Sequence, residues 1–489
     1  MKHKSKNLSE VSIEYFLKEY LKALEDGDAA VFLGAGFSAA SGLVDWKELM
    51  RDIAHELGLS VDQESDLISI AQYHVNKFSS RAKLNSLLID EFTKDAQPND
   101  NHKLLAQLPI ESVWTTNYDG LIEDAFREAG KRVDKKTTTP NLAQTKVNRD
   151  VVVYKMHGDI EQPQDAVLTK DDYENYSQTR QLFSTMLQGD LISKTFLFMG
   201  FSFDDPNIEY ILGRVRTLIG QASQRQHFCI MRRVVRPTGR GKALAEYEYK
   251  ITKQDLRIAD LKRFGIQTVV IDDYREITDL LKTLHQNVYR RSIFVSGSAH
   301  EYGVLGQKRV EELMHSIGRE IITRGYNLVS GFGLGLGGSV ALGAMEELYA
   351  RERTVNVGSR AILRPFPQTT PRGISQQEFW TKYREDMISQ AGFTIFACGN
   401  KQVSKMGKTV VSDGVLEEFE IAKKLNRYPI PIGATGYAAK EIWDEVSASL
   451  GKYYPKGGVQ EHFKTLGDES SSNEELVNAV FSIIKRITR

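Results

Sequence analysis

One pattern occurs twice in this chain and constrains its fold more than any other. A short apolar run ends in a glycine-rich turn, and an amphipathic stretch follows. In the first part it is Val31-Phe-Leu-Gly-Ala-Gly-Phe-Ser38, and in the last third Ser330-Gly-Phe-Gly-Leu-Gly-Leu-Gly-Gly-Ser339. Apolar runs at Ala29–Leu33, Ser112–Thr115, Val151–Lys155, Thr195–Met199, His227–Met231 and Thr268–Ile271 predict strands buried on both faces. Helical stretches at Trp46–Leu57, Leu67–Val75 and Gly120–Ala129 lie between them. Such alternation predicts an α/β chain with mostly parallel sheets flanked by helices.

The stretch Glu276–Arg291 reads as a helix with Leu280, Leu281, Leu284 and Val288 on one face. A new strand, Ile293–Val295, starts directly after it, and a second series follows at Leu328–Val329, Ala361–Leu363, Thr394–Ala397 and Pro429–Ile432. Two domains are expected, 1–288 and 289–489, each a Rossmann-like sheet.

Charge and cysteine content exclude several classes. Lys+Arg and Asp+Glu are both 64, so no net field draws the chain to nucleic acid or an anionic membrane. The basic stretch Gln226–Lys242 reads as a solvated loop after a strand. The longest apolar run, Ala29–Phe37, is too short to cross a bilayer. Cys229 and Cys398 stand far apart, which rules out a four-cysteine zinc site within one chain, and no metal is expected. Few cysteines, with no apolar leader after the polar first ten residues, point to the cytoplasm.

Four motifs end strands in the first part: Gly34-Ala35-Gly36 with Ser38, Thr115-Thr-Asn-Tyr-Asp119, His157-Gly158, and Gly200-Phe-Ser-Phe-Asp-Asp-Pro-Asn207. Loops at the carboxyl ends of parallel strands line one crevice. A glycine turn that lets backbone approach phosphates, the amide Asn117, the imidazole His157 and a Ser/Asp loop can therefore share one pocket. Asp119 also fits as a cap for the helix after Gly120.

These motifs, in this order, resemble the sirtuins over residues 10–285. The resemblance implies NAD binding, with Gly34, Ala35, Gly36, Ser38, Asp45, Asp119, Ser202 and Asp204 at the nucleotide. It implies that Asn117 holds the nicotinamide ribose or an attacking water, and that His157 acts as general base. Imidazole titrates near neutral pH and suits that role. Protein-deacylating sirtuins carry a four-cysteine zinc module, whereas the stretch between His157 and Phe196 has no cysteine. Hydrolysis of NAD+ by water is the expected reaction. The alternatives are an NAD-dependent protein deacylase and a nucleotide sensor without turnover.

In the second part, Phe294-Val-Ser-Gly-Ser298 and the Gly-rich turn at 331–338 suggest a second nucleotide site. Arg364, Arg384 and Lys401 offer cationic contacts, and Glu417, in Ser412-Asp-Gly-Val-Leu-Glu-Glu-Phe419, offers an acceptor for ribose hydroxyls. This half resembles the SLOG family, relatives of the Lonely Guy phosphoribohydrolases. It lacks their PGG and Thr, which favours ligand sensing over hydrolysis.

The order sirtuin-like then SLOG resembles the effector family of the Thoeris anti-phage system. That resemblance implies an NAD+ glycohydrolase acting by abortive infection. It implies activation by a cyclic ADP-ribose isomer made by a TIR-domain partner protein and bound near Gly297, Ser298, Gly333, Gly335, Arg384, Lys401 and Glu417. It also implies a homotetramer.

Overall fold

The computed structural model describes residues 10–64, 66–93, 95–203, 205–220, 223–239, 241–351, 357–367, 369–370, 372–373, 375–403 and 407–488. The chain divides into two compact units, Met1–Val288 and Tyr289–Arg489.

Among the described residues, the first unit is built on a seven-stranded sheet. Its strands are β1 (Ala29–Leu33), β2 (Ser112–Thr115), β3 (Val133–Lys136), β4 (Val151–Lys155), β5 (Thr195–Met199), β6 (His227–Arg232) and β7 (Ile266–Ile271). The order is β3-β4-β2-β1-β5-β6-β7, and every neighbouring pair is parallel. Strand periodicity sends alternate residues to opposite faces. Val31 and Leu33 join a core with Phe16, Tyr20, Leu105 and Leu281, while Ala30 and Phe32 join one with Trp114, Phe183, Phe196 and Phe198. Helices on both faces explain why β1 is wholly apolar, why β5 is apolar after Thr195, and why both are buried throughout. From β1 the chain turns to β2 on one side and later returns to β5 on the other. The carboxyl ends of β1 and β5 therefore flank the point where strand order reverses, the usual ligand crevice of such sheets.

Three details depart from the sequence reading. The stretch Trp46–Leu57 is two helices, Trp46–Leu49 and Arg51–Glu56, broken at buried Met50, whose ψ is near zero. Strand β3 is hidden in the sequence by its charges, because Asp134 and Lys136 are buried as a pair at 3.0 Å. Between His157 and β5 lie short helices, Lys170–Glu174 and Tyr176–Thr179, and the longer Gln181–Ser193. Their Tyr176, Phe183, Leu187 and Leu191 pack on the core. No group of three or more metal-ligating side chains occurs among the described residues.

The second unit holds β8 (Ser292–Ser298), β9 (Asn327–Ser330), β10 (Ala361–Leu363), β11 (Phe393–Cys398), β12 (Asn400–Val403), β13 (Lys408–Val411) and β14 (Tyr428–Pro431). Five form a parallel sheet of order β10-β9-β8-β11-β14, while β12 and β13 pair antiparallel as a hairpin. The hairpin is short and polar and carries no period that marks it in the sequence. Strand order reverses at β8 and β11, so this sheet repeats the crevice logic of the first. No described helix is long and apolar enough to cross a membrane.

Candidate active site

The Gly34–Ser38 turn docks onto the end of β5. The Gly34 N–H donates to Met199 O at 3.0 Å, and the Gly36 N–H donates to Gly200 O at 3.0 Å. A Cβ on Gly34 would stand 2.8 Å from Phe201 Cα and closer still to the Gly200 carbonyl. These two glycines are thus demanded by backbone-on-backbone packing, and their N–H groups are spent there.

Asn117 reaches this turn from the end of β2. Its backbone N–H donates to Thr115 Oγ1 (2.9 Å), which fixes the bend. Its side-chain Nδ2 donates to Gly34 O (3.1 Å) and to Ser38 Oγ (3.2 Å). Its Oδ1 is buried and lacks a hydrogen-bond partner. A buried acceptor left open is uncommon in folded proteins and marks a place for an incoming donor such as a hydroxyl or water.

His157 stands in the turn just past the end of the neighbouring strand β4. Thr115 of β2 and Lys155 of β4 are register partners, and Asn117 and His157 each lie two residues beyond that pair. His157 is 4% exposed, with the edges of Tyr173 and Tyr176 packed at 5.5 and 6.2 Å. Its Nε2 lies 3.1 Å from Asp205 Oδ2. The other oxygen of Asp205 accepts from the Asn207 and Ile208 amides and caps the helix Pro206–Ile219. Burial alone raises the Asp205 carboxyl, but the His157 ring and the two amides more than reverse this and hold it below the ordinary range.

Beneath both loops lies Lys155, which is fully buried. Its Nζ donates to Tyr118 O (3.0 Å) and Asp119 O (2.5 Å) in the Asn117 loop. It also pairs with Asp159 (2.7 Å) in the His157 loop and with Glu123 (3.3 Å). One cation thereby ties together the two loops that carry the amide and the imidazole.

The remaining expected residues serve elsewhere or nearby. Asp45 is exposed and caps the helix at Trp46 by accepting from Glu48 N (2.9 Å). Asp119 is buried, and its Oδ1 accepts from Leu121 N (3.1 Å). Ala35 and Ser202 are exposed, and the Ser202 carbonyl accepts from Arg257. Asp204 lies outside the described residues. Sequence reasoning missed Asp205 and Lys155. The signal for Asp205 was present, since an Asp directly before Pro at a helix start is an N-cap signature.

In the second unit, Gly297, Gly333 and Gly335 interlock. A Cβ on Gly333 would meet the Gly297 carbonyl carbon at 3.0 Å, and one on Gly335 the Ala299 carbonyl carbon at 3.2 Å. On Gly297 it would stand 3.3 Å from the Ala397 carbonyl carbon of β11. Ser298 Oγ donates to Asn400 O at 3.0 Å. Arg384 is brought to Glu417 at 2.8 Å and lies 3.5 Å from Glu418, with its guanidinium 4.7 Å over the Phe366 ring. Glu418 accepts from Ser296 Oγ (2.5 Å) at the end of β8. Burial pushes the Glu418 carboxyl up against the opposing pull of Ser296 and Arg384. Lys401 pairs with Asp413, at the start of the helix that carries Glu417. Arg364 pairs with Asp386. Arg384 thus meets Glu417, and the unexpected Glu418 links it to Ser296 of β8, beside Gly297.

Comparison with known proteins finds two family matches along the chain. The SIR2-like domain family matches residues 111–252, and the Sir2- and TIR-associating SLOG family matches residues 276–487. A protein named NAD(+) hydrolase ThsA from Bacillus cereus (strain MSX-D12) is 45% identical over 476 residues, 97% of this chain and 98% of that protein. One of the same name from Cytobacillus dafuensis is 44% identical, covering 96% of each chain. Defense-associated sirtuin 2 from Bacillus subtilis is 31% identical over 210 residues, 41% of this chain and 20% of that protein. With a SIR2-like unit ahead of a SLOG unit and such identity over nearly its whole length, the chain belongs to the ThsA family of NAD(+) hydrolases.

Proposed function

We propose that this chain hydrolyses NAD+ to nicotinamide and ADP-ribose in the crevice at β1, β2, β4 and β5, and that a cyclic ADP-ribose isomer bound in the SLOG unit switches it on. One observation carries the first part. Asn117, with an open buried acceptor, touches the glycine turn, and the buried His157 lies, like Asn117, two residues past the last paired residues of β2 and β4.

The chemistry asks little of the protein beyond position. The bond between the ribose anomeric carbon and the nicotinamide nitrogen breaks, and its electron pair leaves with nicotinamide, which departs neutral. An oxocarbenium-like centre remains, as in glycoside cleavage. Water adds to that carbon, and His157 takes its proton. Asn117 Oδ1 accepts from the ribose or from that water, while Ser38 and Gly34 fix the amide's orientation. The aromatic walls Phe201 and Phe203 help exclude bulk water. The stretch between His157 and Phe196 has no cysteine to build the zinc module of deacylating sirtuins, which favours water over an acyl-lysine as the acceptor.

For the second site, Arg384 supplies a planar fork for phosphate, Glu417 an acceptor for ribose hydroxyls and Lys401 a point charge. The glycine turns at Gly297, Ser298, Gly333 and Gly335 supply close approach. The name of the matched family, Sir2- and TIR-associating, supports a TIR-domain protein as the source of the signal. A homotetramer in the cytoplasm, silent until signalled and then draining NAD+ so that infection aborts, completes the reading.

The test is nicotinamide release from NAD+ by the purified full-length protein, with and without cyclic ADP-ribose and its ribose-linked isomers, beside His157→Ala. Release with one isomer and none in the variant supports the reading. Release from acetyl-peptide mixtures only, or full activity in His157→Ala, overturns it.

A further inference from the structure

We infer that Asp205 is a positioning residue that fixes the tautomer and orientation of His157 during NAD+ hydrolysis. This rests on the reading of His157 as the base.

The two residues meet through a defined geometry. Asp205 Oδ2 is 3.1 Å from His157 Nε2, and their side chains are only 10% and 5% exposed. Asp205 is itself held from several directions. Its Oδ1 accepts from Asn207 N (2.9 Å) and Ile208 N (3.1 Å), and the Tyr173 hydroxyl approaches Oδ2 at 3.5 Å. Just before it, Phe203 sits at φ 61°, a left-handed conformation that a bulky residue keeps only when its surroundings impose it. Those surroundings are Phe198 and Phe201, each 5.0 Å from the Phe203 ring, and Arg257, which donates to the Phe203 carbonyl. The loop is shaped to deliver this carboxylate to this ring.

A carboxylate has no proton to give, so Nε2 beside it must be the protonated nitrogen. Nε2 has no well-aligned hydrogen bond, but the ring's terminal torsion is soft, and a small rotation brings its N–H into line. The proton-accepting role then falls to Nδ1. This is how a buried Asp serves the histidine of hydrolytic triads. Among the described residues, the titratable groups facing the ring are Asp205, from the loop before Pro206, and Tyr173 and Tyr176, from the helices after Thr169. Burial drives both tyrosine hydroxyls far above their ordinary range, so they stay neutral. Asp205 is the charge that meets the ring.

Two substitutions keep the helix cap and separate the roles, because Asn and Ser both cap well. In Asp205→Asn, the side-chain oxygen keeps the two amides and the NH2 group faces Nε2. That donor forces the proton onto Nδ1 and removes the base. In Asp205→Ser the hydroxyl caps the helix but falls short of the ring. With full-length protein, under the conditions that give wild type its highest nicotinamide release, Asp205→Asn should lose about 100-fold or more in kcat with KM changed less than about threefold. Asp205→Ser, which leaves the ring without a carboxylate to set its tautomer, should lose about tenfold in kcat with KM again little changed. Wild-type kcat in Asp205→Asn, or a raised KM with unchanged kcat in both variants, overturns the inference. Melting temperatures of both variants near wild type exclude a folding effect. If either falls far below, the kcat ratio of Asn to Ser at unchanged KM decides, because the two variants differ in the donor they present to Nε2. An active His157→Ala sinks the base reading itself, whereas an inactive His157→Ala beside an unimpaired Asp205→Asn sinks only the role of Asp205.

Discussion

Gly34 and Gly200 lie back to back across the ends of β1 and β5. A Cβ on Gly200 would stand 2.7 Å from Gly36 C and 2.9 Å from Phe37 Cα, and Gly200 also holds φ +64°. Neither neighbour is a flexible side-chain tip, so nothing gives way cheaply. Gly200→Ala should therefore pry the glycine turn from β5 and displace the Gly34 carbonyl that anchors Asn117. We expect at least about 100-fold lower kcat/KM for NAD+, a misplacement effect of the size known for shifted catalytic groups. Gly189→Ala, in open space on the helix Gln181–Ser193, should leave activity intact. Equal activity in the two variants would refute this.

Lys155 is shared by the loop that carries Asn117 and the loop that carries His157. Replacing it with Met leaves Glu123 and Asp159 buried without their cation, and breaking a buried pair in this way costs about 3–5 kcal/mol. Burial already raises the Glu123 carboxyl, and Lys155 is its main counterweight. Adding Glu123→Gln should then recover part of the loss in melting temperature. Failure of the double variant to melt above Lys155→Met would show that the charges are not the reason for the loss.

His102 predicts an acid limb of stability. Its ring packs edge-on to Phe37 in the glycine turn at 4.7 Å, and burial pushes its pKa down to about 4. An unfolded histidine titrates near 6.5, so between the two values the unfolded chain binds the extra proton. Stability from this residue is complete above about 6.5 and falls as pH drops toward 4, by up to roughly 3 kcal/mol. His227, lowered to about 3 by burial and then by Arg225, adds to the same slope. His102→Leu should flatten the fall in melting temperature from pH 6.5 to 4.5. An unchanged slope would assign the acid limb to other groups.

The sheets were legible because β1, β2, β4 and β5 are apolar on both faces, and their motifs sit at strand ends where topology gathers them. β3 was not, because Asp134 and Lys136 neutralise each other inside the fold and look like surface in the sequence. Asn117 and His157 could be read from local motifs. Asp205 reaches His157 48 positions away, and Lys155 reaches the Tyr118 and Asp119 carbonyls 37 and 36 positions away, and no local pattern reports such a contact. In the second unit, choosing Glu417 over Glu418 in a Glu-Glu pair needed the helix phase, and the structure places both near Arg384.

That Arg384 cluster yields the last prediction. The guanidinium faces Glu417, Glu418 and the Phe366 ring, and a Cβ on Gly414 would stand 2.7 Å from its Nη2. An incoming phosphate must compete with Glu417 for the fork, so affinity depends on the planar two-sided geometry of Arg and not on charge alone. Arg384→Lys keeps the charge but has one donor head and cannot span Glu418 and a phosphate together. Calorimetric titration of the full-length protein with the cyclic ADP-ribose isomer proposed above as activator should show binding weakened by about 30-fold or more in Arg384→Lys, the cost of a lost charged hydrogen bond. Arg384→Met should weaken it further. The KM for NAD+ in the activated state should stay near wild type in both, since the substitution lies in the other unit. Tight binding in Arg384→Lys would mean that the arginine merely satisfies Glu417 and Glu418, and that the signal is held by Lys401 and the glycine turns instead.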